Sequence, residues 1–155
     1  MSRTIIGIDP ATQTGWAVLA HDGAYIDSGS VSFSFDARHE GGGMRYVRAG
    51  RFFAALVAKY PGCLVVYERV DRHRGTAAAH VYGGIIAELQ RVCEEARAPY
   101  RGIPVAHVKQ AATGKGKAGK KEMIAAVAKR WDVVVADDNE ADALWVAETE
   151  RLEAS

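Results

Sequence analysis

Apolar residues fall along this chain in two rhythms, and each change of rhythm marks an element. Thr4 to Asp9 is apolar and β-branched on nearly every position, which predicts a buried strand ending in an acid. Pro10 to Gln13 predicts a turn. Thr14 to Ala20 predicts a second strand, and His21-Asp22-Gly23 carries hairpin chemistry. Ala24 to Phe35 supplies a third, alternating strand with Gly29 inside it. Asp36 to Gly43 is a polar, Gly-rich loop. The rhythm then turns helical: Val47, Phe52, Phe53, Leu56 and Val57 share one face between Met44 and Tyr60, until Pro61-Gly62 stops the helix.

The second half alternates strands and helices. Cys63 to Val70 predicts a fourth strand, apolar up to Glu68. A short basic loop, Asp71 to Gly75, leads to Thr76, a candidate cap for a long helix running to about Arg97. Gly83 and Gly84 lie inside that helix at a cost of about 1 kcal/mol each relative to alanine, which points to close packing against another backbone. Pro99 ends it. Gly102 to Val108 predicts a fifth short strand, and Lys109 to Gly119 a Gly/Lys-rich loop or helical turn. Lys120 to Trp131 and Ala141 to Leu152 predict two final helices, with Asp138 a candidate cap or first-turn residue of the last. The order is β-β-β-α-β-α-β-α-α. It implies an α/β fold: a mixed five-stranded sheet, three antiparallel strands then two parallel, with helices on both faces.

The chain's 155 residues fit a single domain, 1–155, with a sizeable core. With 48% hydrophobic and 25% charged residues the balance is that of a globular protein. No apolar run could span a bilayer and no signal-peptide pattern opens the chain, so a cytoplasmic protein is expected. Cys63 and Cys93 sit in apolar contexts and read as reduced core residues. Net charge is only +1, yet charge is segregated. From Arg101 to Lys121 there are six basic residues and no acid, and Arg69, Arg72 and Arg74 follow Glu68. Such a layout is either a solvated face or a track for a polyanion.

The acids sharpen the picture. Asp9 and Glu68 each end an apolar strand, where a carboxylate needs a partner or a metal. Asp137, Asp138, Glu140 and Asp142 crowd the start of the last helix, as they would on a solvated helix N-terminus. If the first and fourth strands pair in parallel, as a helical crossover favours, Asp9 and Glu68 are adjacent. Asp138 and Asp142, four apart, share one helix face. Together these carboxylates suggest a cage for hard divalent cations.

At these residues the chain resembles the RuvC-type Holliday junction resolvases of the RNase H-like nuclease superfamily. The matching segments are Gly7-Ile8-Asp9-Pro10 with Thr14-Gly15-Trp16-Ala17-Val18, then Val65-Val66-Tyr67-Glu68, then Val108-Lys109-Gln110 with Gly114-Lys115-Gly116-Lys117-Ala118 and Lys120, and finally Ala141-Asp142-Ala143-Leu144. They occur in order along nearly the whole chain. The resemblance implies a homodimer, formed through the Thr76–Arg97 helix, that cuts two strands of a four-way DNA junction. In that family an Asp or His usually precedes the last Asp by three residues. Here that position is Asn139, so the fourth ligand is either Asp138 or Asn139.

The expected reaction is phosphodiester hydrolysis with two Mg²⁺ ions per site, for which Mn²⁺ would substitute. Asp9 would bridge ions roughly 4 Å apart. Glu68 would hold one, and Asp142 with Asp138 or Asn139 the other. Lys109 and Lys120 would neutralise phosphates, Lys120 within the catalytic set. Lys115 and Lys117 would contact DNA, and Arg72 and Arg74 the junction centre. Two other readings exist: an RNase H-like nuclease on RNA–DNA hybrid, and a non-catalytic nucleic-acid-binding module. Gly114 to Lys121 nearly spells a nucleotide-binding P-loop, but Lys121 stands where Ser or Thr must hold Mg²⁺. His107, His73 and His80 read as structural or surface residues, Trp145 as core, and Tyr67 as packed on the sheet face opposite Glu68.

Overall fold

A computed structural model describes residues 2–155. Five strands form one sheet in the order β3-β2-β1-β4-β5. β1 (Ile5–Asp9), β2 (Gln13–Leu19) and β3 (Tyr25–Ser32) are antiparallel neighbours, whereas β1, β4 (Leu64–Arg69) and β5 (Tyr100–Pro104) run parallel. Helices α1 (Met44–Lys59) and α2 (Thr76–Ala96) cover one face. On the other lie α3 (Val105–Thr113), α4 (Lys120–Trp131) and α5 (Asp138–Ala154). This is the mixed α/β architecture that the alternation of patterns predicts. No helix among the described residues is long and apolar enough to cross a membrane.

The strand period of two sorts the side chains. Ile6, Ile8, Val65 and Tyr67 enter the α1/α2 core, where Phe33, Phe52 and Phe53 meet with ring centroids 5.7–6.0 Å apart. Ile5, Val66 and Ile103 enter the opposite core with Met123, Val127 and Leu144. Asp9 and Glu68 continue the second series, so both face α5. Trp145 is core, as its apolar setting implies, and Cys63 and Cys93 are buried free thiols.

Four local expectations change. The fifth strand ends at Pro104, whose backbone caps α3, and Val105 to Thr113 are helical. His107 therefore lies exposed on a helix, with Nδ1 3.0 Å from Glu153. Gly75, not Thr76, occupies the N-cap of α2; its φ of +94° is a conformation that glycine adopts freely. Gly84 packs against the ring of Tyr46 rather than against backbone, and Gly83 faces open space. The last helix starts at Asp138, with Asp137 as its cap.

Candidate metal and nucleic-acid site

The acid-rich stretch divides its labour. Asp137 Oδ1 accepts from the Glu140 N–H at 2.9 Å and caps α5. Glu140 turns away from the site: its carboxylate accepts from Ser28 Oγ at 2.5 Å and from the Ala136 N–H at 2.8 Å. That leaves Asp138 and Asp142, one turn apart, on the face toward the sheet ends.

Two glycines let α5 approach. A Cβ on Gly7 would stand 2.2 Å from the Ala143 carbonyl oxygen, and one on Gly15 would stand 1.8 Å from that of Asn139. No side chain fits at either place, so helix backbone lies on sheet backbone. A glycine inside a strand pattern is the signal for such an approach, and it is the contribution that reading for charged residues overlooks.

The result is a trio. Carboxylate oxygens of Asp9, Glu68 and Asp142 all lie within 4.8 Å of one another. Asp9 and Glu68 are 9% and 8% exposed. Asp142 Oδ1 is buried with no hydrogen-bond partner. Burial, then the neighbouring charges of Glu68, Asp142, Asp138 and Asp137, push the Asp9 carboxyl well above its usual range. Burial raises Glu68 too, offset by the ammonium of Lys109. Asp142 is pushed up to about 7, by burial first and then by Glu68 and Asp138, against the pull of Lys109 and Lys120. Three acids crowded this way cannot all ionise without a compensating cation. Their oxygens are hard donors, and one of them, Asp142 Oδ1, is buried with no hydrogen-bond donor to satisfy it. The residues fit a hard divalent ion.

The other sequence-predicted residues take definite places. Asp138 lies outside the trio but close enough to act on Asp9 and Asp142. Asn139 is half-buried, with its backbone against Gly15. Lys120, the first residue of α4, puts Nζ 3.9 Å from Asp138 Oδ2 while its side chain stays 81% exposed. Lys109, half-buried on α3, faces Glu68 and Asp142. Lys115 and Lys117 are exposed in the loop before α4, Lys115 with Nζ 3.8 Å from Glu122. Arg72 and Arg74 are exposed in the loop after β4.

No protein-family model matches the chain, and no curated protein sequence matches it. Solved structures do. RuvC of T. thermophilus in complex with a Holliday junction substrate is similar with a TM-score of 0.84 and 23% identity, over 98% of this chain and 94% of that one. A second structure of Thermus thermophilus RuvC gives a TM-score of 0.78 at 22% identity, over 97% and 95%. The yeast mitochondrial Holliday junction resolvase gives 0.67 at 12% identity, over 98% and 79%. The resemblance carried by the sequence motifs thus extends to three dimensions, and the chain has the RNase H-like fold of the RuvC-type Holliday junction resolvases.

Proposed function

We propose that this chain is a cytoplasmic, metal-dependent endonuclease that cuts branched DNA, with the four-way Holliday junction as its substrate. One observation carries the reading: the carboxylates of Asp9, Glu68 and Asp142 converge at the end of a sheet whose fold is shared with a junction-bound RuvC. A divalent ion held there, Mg²⁺ or Mn²⁺ and two per site, would supply Lewis acidity and a water of lowered pKa. The holding groups would be Asp9, shared between ions, with Glu68 on one side and Asp142 with Asp138 or Asn139 on the other.

The chain's own side chains account for the remainder. Lys109, whose ammonium pulls down the Glu68 and Asp142 carboxyls, would balance their charge and meet a phosphate over them. Lys120 sits where the Gly/Lys loop meets α4, beside Asp138, and would face charge that develops on the scissile phosphate. Lys115, between Gly114 and Gly116, and Lys117, which follows Gly116, are exposed and suit phosphates farther along the duplex. Arg72 and Arg74, exposed after the end of β4, would contact DNA at the junction centre. Two such sites, brought together by a homodimer through α2, would cut two strands of one junction.

The test is Mg²⁺-dependent cleavage of four labelled substrates at equal concentration: four-way junction, flap, linear duplex and RNA–DNA hybrid. Preferential cutting of the junction supports the proposal. Preference for the hybrid would favour an RNase H-like activity, and binding without cutting a non-catalytic module.

A further inference from the structure

Glu68 lies near the end of β4, where the sheet stops supporting its backbone on one side. The Leu64 N–H donates to Thr4 O at 2.9 Å, and the Val65 N–H donates to Pro99 O at 2.9 Å. Even-numbered residues of β4 therefore turn their backbone groups toward β1, and odd-numbered ones toward β5. With Ile5 opposite Leu64 and Ile8 opposite Tyr67, the parallel register can be carried forward two residues at a time. The donor then due at the Glu68 carbonyl is the backbone nitrogen of residue 10. Residue 10 is proline and has no N–H. β1 ends at Asp9, so the Val70 N–H, next along the same edge, also loses its strand partner.

A side chain from α2 fills the gap. Tyr82 Oη donates to the Glu68 carbonyl at 2.9 Å and accepts from the Val70 N–H at 3.1 Å. One hydroxyl thus bonds the two groups that a continuing β1 would have bonded. The ring is held as well: His73 packs on it with centroids 4.8 Å apart. The geometry points to Tyr82 as a positioning residue for the metal site: its hydroxyl replaces the N–H missing at Pro10 and fixes the peptide that carries Glu68. This inference rests on the proposed metal-dependent reading of the Asp9–Glu68–Asp142 trio. It adds a group outside the acidic and basic residues of that reading.

The wider consequence is a division of roles at one position. Proline after Asp9 stiffens the turn behind one ligand, but it leaves the neighbouring ligand's peptide without a donor. Tyr82 restores that bond from another element, so α2 is tied to the site by a specific hydrogen bond as well as by packing.

The test uses Tyr82→Phe, which keeps the ring and deletes only the hydroxyl, together with Pro10→Ala and the double variant. Calorimetric titration of Mn²⁺ into the metal-free full-length protein reads the site without DNA. Hydrogen exchange at the Val70 amide reads the bridge without metal. The expected result is faster Val70 exchange and about tenfold weaker Mn²⁺ uptake in Tyr82→Phe, the size typical of losing a group that orients a ligand. Adding Pro10→Ala to Tyr82→Phe should recover much of the affinity, because it returns the N–H that the register calls for. Wild-type Mn²⁺ affinity in Tyr82→Phe overturns the inference, as does unchanged Val70 exchange. A tenfold loss that Pro10→Ala leaves unrepaired overturns it too, assigning the effect to ring packing. A wild type that takes up no Mn²⁺ overturns the proposed function and this inference together, whereas the other failures leave the function standing.

Discussion

Gly15 of β2 lies so close to Asn139 of α5 that a Cβ there would be 1.8 Å from the Asn139 carbonyl oxygen. This contact sets the height of α5 above the sheet, and Asp142 sits less than one turn farther along the helix. Gly15→Ala must push the helix away or distort β2. A loss of about 3 kcal/mol is expected, at the upper end for overpacking, with a Tm lower by roughly 10 °C. Divalent-ion uptake should fall as Asp142 moves off Asp9 and Glu68. Thermal denaturation and calorimetry on the same variant check both parts; an unchanged Tm would show that the helix accommodates the methyl group.

Under the proposed metal-dependent function, a fourth oxygen donor would come from Asp138 or Asn139. Asp138→Ala should reduce cleavage more than Asn139→Ala, because a carboxylate binds Mg²⁺ better than an amide oxygen does. Single-turnover rates at several Mg²⁺ concentrations decide it. The reverse ranking would assign the ligand to Asn139.

The lysines should separate by kinetic signature. Lys120→Ala, beside Asp138, should lose cleavage rate by more than it loses junction affinity, through lost transition-state charge stabilisation. Lys115→Ala and Lys117→Ala should weaken binding and each lower the salt slope by about 1. Equal, binding-only losses in all three would make the loop an electrostatic clamp and nothing more.

The crowded acids make a prediction about pH. Burial, with Glu68 and Asp138 beside it, pushes the Asp142 carboxyl up to about 7 in the folded chain from an ordinary 3.8. The folded state thus holds a proton that the unfolded state has released. Its stabilising contribution is complete below the ordinary value and is lost as pH rises through about 7, a loss of about 4 kcal/mol in full. Without metal, Asp142→Asn should therefore melt above the wild type near pH 8, by roughly 10 °C, and the gap should narrow toward pH 5. Mg²⁺ should raise the wild-type Tm near pH 8 and raise that of Asp142→Asn far less. Parallel pH dependence of the two proteins would place Asp142 outside the coupled cluster.

Much of the site is legible in the pattern alone. Asp9 and Glu68 stand out because each breaks an apolar run at a strand end, and helical crossover makes those ends neighbours. The last helix is harder, since four acids compete to cap it; only the bonds that the Glu140 N–H donates to Asp137 and that Ser28 donates to Glu140 sort ligand candidates from structural groups. Val105 to Val108 reads as strand because β-branched residues suit either state, and it becomes helix once Pro104 ends β5. Gly7 and Gly15 stand in the matching segments but carry no charge, so a search for reactive groups passes over them, although they set the approach of α5. Tyr82 is beyond reach of sequence pattern, because its bond to Glu68 spans two elements and depends on where β1 stops.

The proposed function requires Asp9 to belong to a metal-holding trio that cuts DNA. The direct measurement is single-turnover cleavage and binding of a synthetic four-way junction by the wild type and by Asp9→Asn, with Mg²⁺ and with a chelator. Asp9→Asn removes the charge but little volume. The wild type should cut only with Mg²⁺ and leave 5′-phosphate and 3′-hydroxyl ends. Asp9→Asn should bind the junction at least as tightly and not cut it. Cleavage by Asp9→Asn at the wild-type rate would rule out a metal-holding role for Asp9 in the reaction.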